Sequence, residues 1–235
     1  MASKINKKDY QSMRTSGEKY SRPIVILGAS GHAVSVANVA LSAGYKIAYF
    51  VDKNIKESIL LGIEIIGDIS DLTNYSDYEY SIAVGDNYLR QKIYNELNKQ
   101  YSNLKFPTLV HDSAVISHFC KVGDGTVVMP KAIIGPNSIV GEFCILNTQS
   151  SIDHDCIIEN FSSLAPNAAT GGTVKIGCRS AVAIGATINH KLKIGNDCVL
   201  GANSYLNKDL ANNCVAYGTP AKVIRSRESG DAYLK

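Results

Sequence analysis

The chain has 235 residues, enough for one large domain or two small ones, and its 45% apolar and 19% charged residues exclude wholesale disorder. No window reaches the roughly eighteen consecutive apolar residues of a membrane span. The net charge is +3, but the first 22 residues carry +4, with Lys4, Lys7, Lys8, Arg14, Lys19 and Arg22 against only Asp9 and Glu18, so the body is near −1 and lacks the basic stripe of a nucleic-acid-binding surface.

Residues 1–21 contain no apolar h-region and read as a disordered or tag-like leader, not a secretory signal; a cytoplasmic protein is expected. From Pro23 the sequence "PIVILGASGHAVSVANVALSAGYKIAYFVD" predicts a buried strand over Ile24–Leu27, a glycine-punctuated turn, a helix that Gly44 ends, and a second strand over Ile47–Val51 closed by Asp52. "YSIAVG" at 80–85 predicts a third strand, followed by a helix from Asn87 to about Asn98, and "LKFPTLV" closes this small βαβ unit. A glycine turn between strand and helix presents backbone N–H groups to a phosphate. An acidic residue at the end of the second strand often meets a ribose or base edge. "GASGH" is shorter than the dinucleotide fingerprint, so on its own it fits a plain tight turn equally well.

After residue 111 the period changes to six. From Ile116 to Leu206, fifteen of sixteen positions spaced by six are aliphatic, and four residues after each stands a mostly small side chain, including Cys120, Cys144, Cys156 and Cys198. Neither a helix nor a plain alternating strand has this period; it marks a hexapeptide β-solenoid whose short strands stack coil on coil. Burial explains the in-phase cysteines without redox or metal chemistry, and CxxC pairs are absent.

Inside this repeat, "SIDHDC" places His154 between Asp153 and Asp155, a turn histidine or a functional one by spacing alone. "GASGH", "FVD", "IAVGDNYLR", "SSIDHDC" and the closing "AYGTPAKVIR" occur in order, and with them the chain resembles the hexapeptide-repeat acyltransferases, in the branch of sialic-acid O-acetyltransferases and nucleotide-amino-sugar N-acetyltransferases. The resemblance implies an α/β plus β architecture: a Rossmann-like nucleotide-sugar-binding βαβ domain over 22–108, a left-handed parallel β-helix with eighteen residues per coil over 109–225, and a C-terminal tail over 226–235. It further implies acetyl-CoA as co-substrate, a nucleotide-linked amino sugar as acceptor, a homotrimer, and a role in lipopolysaccharide, O-antigen or other glycan synthesis.

By the same resemblance His154 is the general base, Asp155 orients it, and the N–H of Gly172 meets the thioester carbonyl. Gly28, Ser30, Gly31, His32, Asp52, Lys53, Gly85, Asp86 and Asn87 fall on the nucleotide-sugar side. Ser163 (where relatives often have a second histidine), Gly172, Ile184, Gly185, Ala202, Pro220 and Lys222 fall on the coenzyme A side. The expected reaction is N-acetylation of a UDP- or dTDP-linked 4-amino-4,6-dideoxy sugar by direct attack. O-acetylation of a sugar or sialic acid is the alternative, and a non-catalytic solenoid module a third reading. His118, His154 and His190 stand 36 residues apart. With that coil length they are about 10 Å from one another, too far to share a metal ion within one chain, and no metal is expected.

Overall fold

The computed structural model describes residues 22–54 and 57–233; the leader 1–21 lies outside the described residues. Ile24–Leu27 (β1) is buried along its whole length, as a central parallel strand must be, between Ile47–Val51 (β2) and Glu79–Ile82 (β5). Ile59–Leu60 (β3) and Ile63–Ile66 (β4) extend the sheet to the order β3-β4-β2-β1-β5. Neither was expected, because "ILLGIEII" is an apolar run without alternation that Leu61 and Gly62 turn through positive φ values of 54° and 76°. Gly31–Ser42 (α1) buries Ala33, Val36, Ala37, Val39 and Ala40, small and branched side chains that let it lie close on the sheet. Asn87–Gln100 (α2) starts at Asp86, whose Oδ1 accepts from the Leu89 N–H at 2.9 Å. Both helices therefore begin at the carboxyl edge of the sheet, directly after β1 and β5.

From Leu109 onward, two-residue strands recur and stack into three sheets of a parallel β-helix. The register Ile133↔Ser151, Ser151↔Ala169 and Ala169↔Thr187 advances eighteen residues per coil. The second residue of each rung points inward: Ile134, Ile152, Ile158, Leu164, Ile176 and Leu200 are at most 1% exposed. Each such side chain contributes about 1.5–3 kcal/mol by burial. Cysteines 144, 156 and 198 share the small-residue position with Ser138, Ser162 and Ser180, and all six cysteines are free. The serines remain compatible with a core because their hydroxyls bond carbonyls of the following coil, Ser138 Oγ to Asp153 O at 2.8 Å and Ser162 Oγ to Gly177 O at 2.7 Å.

Each hexapeptide turns its corner through one residue in the left-handed region, among them Lys131, Asn137, Phe143, Asp155 and Thr173 with φ between 53° and 62°. Their backbone N–H groups bond the preceding coil, as Asp155 N does to Pro136 O at 3.0 Å and Thr173 N to His154 O at 2.8 Å. Neighbouring coils thus over-determine a conformation that a lone L-residue would resist.

The segment read as closing the βαβ unit joins both halves: Lys105 O accepts from Tyr80 N, while Leu109–Val110 is already a rung of the solenoid, paired with Val127–Val128. Arg90, 1% exposed, locks the junction. Its guanidinium donates to Phe143 O (2.8 Å), Phe161 O (3.0 Å), Val84 O (2.9 Å), Gly85 O (3.1 Å) and Asn87 Oδ1 (2.7 Å). Around it Tyr94, Phe143 and Phe161 pack ring on ring, the two phenylalanines stacked at 5.1 Å. The described end of the C-terminal tail also folds back: Tyr233 packs on Ala181, Val199 and Val215, and its hydroxyl accepts from the Asn87 N–H at 3.1 Å.

Replacing Arg90 by leucine would keep bulk but leave several buried carbonyls without a donor, each costing about 1–3 kcal/mol. Arg90→Leu is expected to lower the free energy of unfolding in urea by about 3 kcal/mol or more, with Arg90→Lys restoring only part, since three donors replace five.

Candidate active site

Three columns of corners run along the solenoid, and their side chains stack because the coils up to Leu206 share one eighteen-residue length. One column holds His118, Pro136, His154, Gly172 and His190 in its first place, and Phe119, Asn137, Asp155, Thr173 and Lys191 in its second. His154 is exposed, and its Nδ1 lies 2.7 Å from Asp155 Oδ2. The other carboxylate oxygen accepts from Asn137 Nδ2 of the preceding coil. With Asp155 ionised, Nδ1 must carry the proton of that bond, so Nε2 presents its lone pair. No side chain or backbone group among the described residues hydrogen-bonds Nε2.

What Nε2 faces is Gly172, one coil on. A β-carbon on Gly172 would stand 2.3 Å from Nε2 and 2.5 Å from Cε1 of His154, so the imidazole occupies the space a side chain would need. Only glycine is compatible with this approach. Asp153 completes the turn by accepting the His154 N–H on Oδ1 at 2.8 Å. The hydrogen bond that His154 donates to Asp155, and secondarily the nearby negative charge of Asp153, raise the His154 pKa above its ordinary value. Hydrogen bonds from Asn137 and then His154 hold the Asp155 carboxyl below the usual range. The result is an exposed, correctly protonated and more basic imidazole.

On the α/β half, Gly28, Ser30, Gly31, His32, Asp52 and Gly85 all gather at the carboxyl ends of β1, β2 and β5, where ligands of open α/β sheets bind. Gly28 has φ 121° and passes close to Ala83 O, a turn suited to glycine. Ser30 caps α1 without a side-chain hydrogen bond, leaving the helix N-terminus open to an acceptor. Burial, helped by the positive charge of Arg90, pushes the His32 pKa down to about 4, and its buried Nε2 has no partner among the described residues. His32 is therefore neutral.

Other expected contacts are already engaged within the chain. Asp52 accepts from Ala29 N at 3.1 Å and Asn54 N at 2.9 Å, bracing the glycine turn. Lys53 pairs with Asp68, and Asp86 caps α2. Asn87, 1% exposed, holds Ser180 O at 3.1 Å and Arg90, so its side chain faces the domain junction and not a substrate surface. Arg90, the last residue of "IAVGDNYLR", and Tyr233 shape this loop, and their roles are not legible in residue type because their partners are chiefly main-chain atoms.

Of the expected coenzyme A residues, Gly172 lies against His154, whereas the others stand elsewhere on the same chain. Ile184, Gly185 and Ala202 are exposed or half-buried on a different corner column, separated from the His154 column by the sheet containing Ser151, Ala169 and Thr187. Ser163 lies on a third face, in the sheet that pairs it with Ile145 and Ala181. Pro220 and Lys222 stand on the terminal hairpin Cys214–Gly218/Ala221–Ser226. Among the described residues no cluster of histidine, cysteine and carboxylate side chains could hold a metal ion, and no helix is long and apolar enough to cross a membrane.

The family profile described as PglD N-terminal domain matches residues 23–97. A histidine-to-asparagine variant of perosamine N-acetyltransferase from Caulobacter crescentus, solved with CoA and GDP-perosamine, is 30% identical, with TM-score 0.81 over 87% of this chain and 97% of that one. The acetyltransferase domain of PglB from Neisseria gonorrhoeae, solved with acetyl coenzyme A, is 28% identical, with TM-score 0.82 over 87% of this chain and 100% of that one. An uncharacterized protein of Acanthamoeba polyphaga mimivirus is 32% identical over 123 residues, which are 52% of this chain but only 24% of that protein. The α/β sheet, the eighteen-residue coils and the full-length match to the Caulobacter enzyme together establish that the chain belongs to the hexapeptide-repeat sugar acetyltransferase family.

Proposed function

We propose that this protein moves the acetyl group of acetyl-CoA to the 4-amino group of a nucleotide-linked 4-amino-4,6-dideoxy sugar, with His154 as general base. The observation that carries the reading is the His154–Asp155 pair with its bare Nε2 over Gly172. A neutral amine attacks the thioester carbonyl; as the C–N bond forms, Nε2 takes the amine proton, and the C–S bond then breaks as the imidazolium returns that proton to the departing thiolate. Base catalysis of this kind is worth about 10² to 10⁴ in rate. Asp155 keeps the tautomer and steadies the imidazolium, and the N–H of Gly172 is assigned to the developing oxyanion. The nucleotide-sugar end is assigned to the turn Gly28–His32, with neutral His32 as a donor or acceptor that places no charge beside the diphosphate.

We assign the carrier to UDP or dTDP, with GDP the competing choice because the Caulobacter relative was solved with GDP-perosamine. A trimer accounts for the split between corner columns. Ile184, Gly185 and Ala202 can meet the thioester beside His154 when that column of one copy faces the His154 column of the next.

Thiol release with acetyl-CoA and a panel of UDP-, dTDP- and GDP-linked 4-amino sugars is expected to show turnover with one carrier. His154→Asn should lose about 10²-fold or more in kcat with little change in KM for acetyl-CoA. Silence with every amine, but turnover with hydroxyl acceptors, would convert the reading to O-acetylation. The base works when deprotonated, and Asp155 raises its pKa, so the acid limb of kcat/KM should lie above the ordinary histidine value of 6.5 and move down toward it in Asp155→Asn. Gly172→Ala should cost about 10²-fold in kcat, because the new methyl group displaces the imidazole from its place.

A further inference from the structure

We infer that Asn137 is a positioning residue of this reaction, its amide holding the Asp155 carboxylate in the orientation that aims His154. The inference rests on the assignment of His154 as the base. Asn137 and Asp155 occupy equivalent corner places in adjacent coils, with φ of 62° and 56°. Asn137 Nδ2 donates to Asp155 Oδ1 while Asp155 Oδ2 takes Nδ1 of His154 at 2.7 Å. Each carboxylate oxygen thus has one partner, and rotation of the group breaks one bond or the other. A carboxylate tied only to the imidazole could swing with it into solvent; tied to the coil below, it cannot.

The backbone admits an asparagine at this place, as at the corners Asn167 and Asn203, but does not require one. Equivalent left-handed corners carry Lys131, Gln149, Phe161 and Arg179 at φ between 55° and 60°. Nor is the amide engaged elsewhere among the described residues. Its hydrogen bond is also the leading cause of the lowered Asp155 pKa, as expected of a donor aimed at the ionised form. The charged groups bearing on the imidazole are Asp153 and Asp155 of its own corner. The corner above presents Gly172 and Thr173 and the one below Pro136 and Asn137, none of which titrates, while His118 and His190 stand two coils away, about 10 Å.

Two substitutions separate positioning from mere support of the fold, and glycine and aspartate both tolerate a positive φ. The imidazole Cε1–H of His154 is titrated by NMR in the full chain, in Asn137→Gly and in Asn137→Asp, with His154→Asn assigning the resonance. The freed carboxylate of Asn137→Gly should let the His154 pKa fall, and the second carboxylate of Asn137→Asp should raise it. In parallel kcat should fall about three- to tenfold in Asn137→Gly, the size of one hydrogen bond, with KM for acetyl-CoA unchanged. An imidazole pKa that stays put in both variants overturns the inference even if kcat falls, because a purely structural role would do that. If the assignment of the base is what fails, the sign is different: His154→Asn then turns over at the parent rate, whatever the titrations show.

Discussion

Constant coil length is the constraint from which the rest of this molecule follows. Because the coils from Leu109 to Leu206 advance by eighteen residues and only the last shortens to sixteen, places that differ by eighteen around His154 become neighbours across a single strand spacing of about 4.8 Å. The inward aliphatic ladder enforces that length: inserting one residue would turn an Ile or Leu out of the core and a polar neighbour in. Catalytic geometry is thereby made a consequence of core packing. His154 meets Gly172, and Asp155 meets Asn137, because Ile152 meets Ile134 and Ser151 meets Ala169 in the rungs beside them.

This is also why the solenoid half was so readable in the sequence. Fifteen aliphatic positions in register specify a repeat that no helix or plain strand can mimic, and His154, Asp155 and Gly172 are then related by counting. Asn137 obeys the same count, eighteen before Asp155, yet a short polar residue at a corner looks like any other turn former. Its partner had to be seen. The α/β half was legible only in outline. The strands Ile59–Leu60 and Ile63–Ile66 sit in an apolar stretch of ambiguous period, and Arg90 looks in sequence like an ordinary exposed helix residue. Its environment comes from carbonyls of Phe143 and Phe161, more than fifty residues away, and main-chain acceptors leave no trace in residue type. The engagement of Asn87 is hidden in the sequence for the same reason, since only the junction shows that Ser180 O accepts from its side-chain amide.

Arg90 links the two halves in a way a hydrophobic contact could not. Desolvating a guanidinium without a carboxylate is costly, and it persists here because five acceptors converge on it in fixed directions. Two of those acceptors, Val84 O and Gly85 O, belong to the loop at the carboxyl edge of the sheet, and two belong to solenoid corners. The loop at Val84–Gly85, proposed for the nucleotide sugar, is therefore registered against the same coils that carry the His154 column. Burial keeps His32 neutral and the charge of Arg90 adds to it, so the buried cation that ties the Val84–Gly85 loop to the solenoid also acts on the histidine of the glycine turn.

The exposure of His154 gives the Asp155–Asn137 pair its physical purpose. In the single chain the imidazole is open to water, and its raised pKa comes chiefly from the hydrogen bond to Asp155. In the proposed trimer a second copy and the bound thioester cover it, and desolvation acts in the opposite direction, disfavouring the imidazolium that must form as the proton is taken. A carboxylate free to rotate would hydrate elsewhere and leave that cost unopposed. Held from below by an amide, it stays against Nδ1 as water leaves, and its attraction for the imidazolium strengthens in the drier site. The open column of the monomer and the closed site of the assembly thus make the same demand on Asp155, and the coil beneath it meets that demand with Asn137.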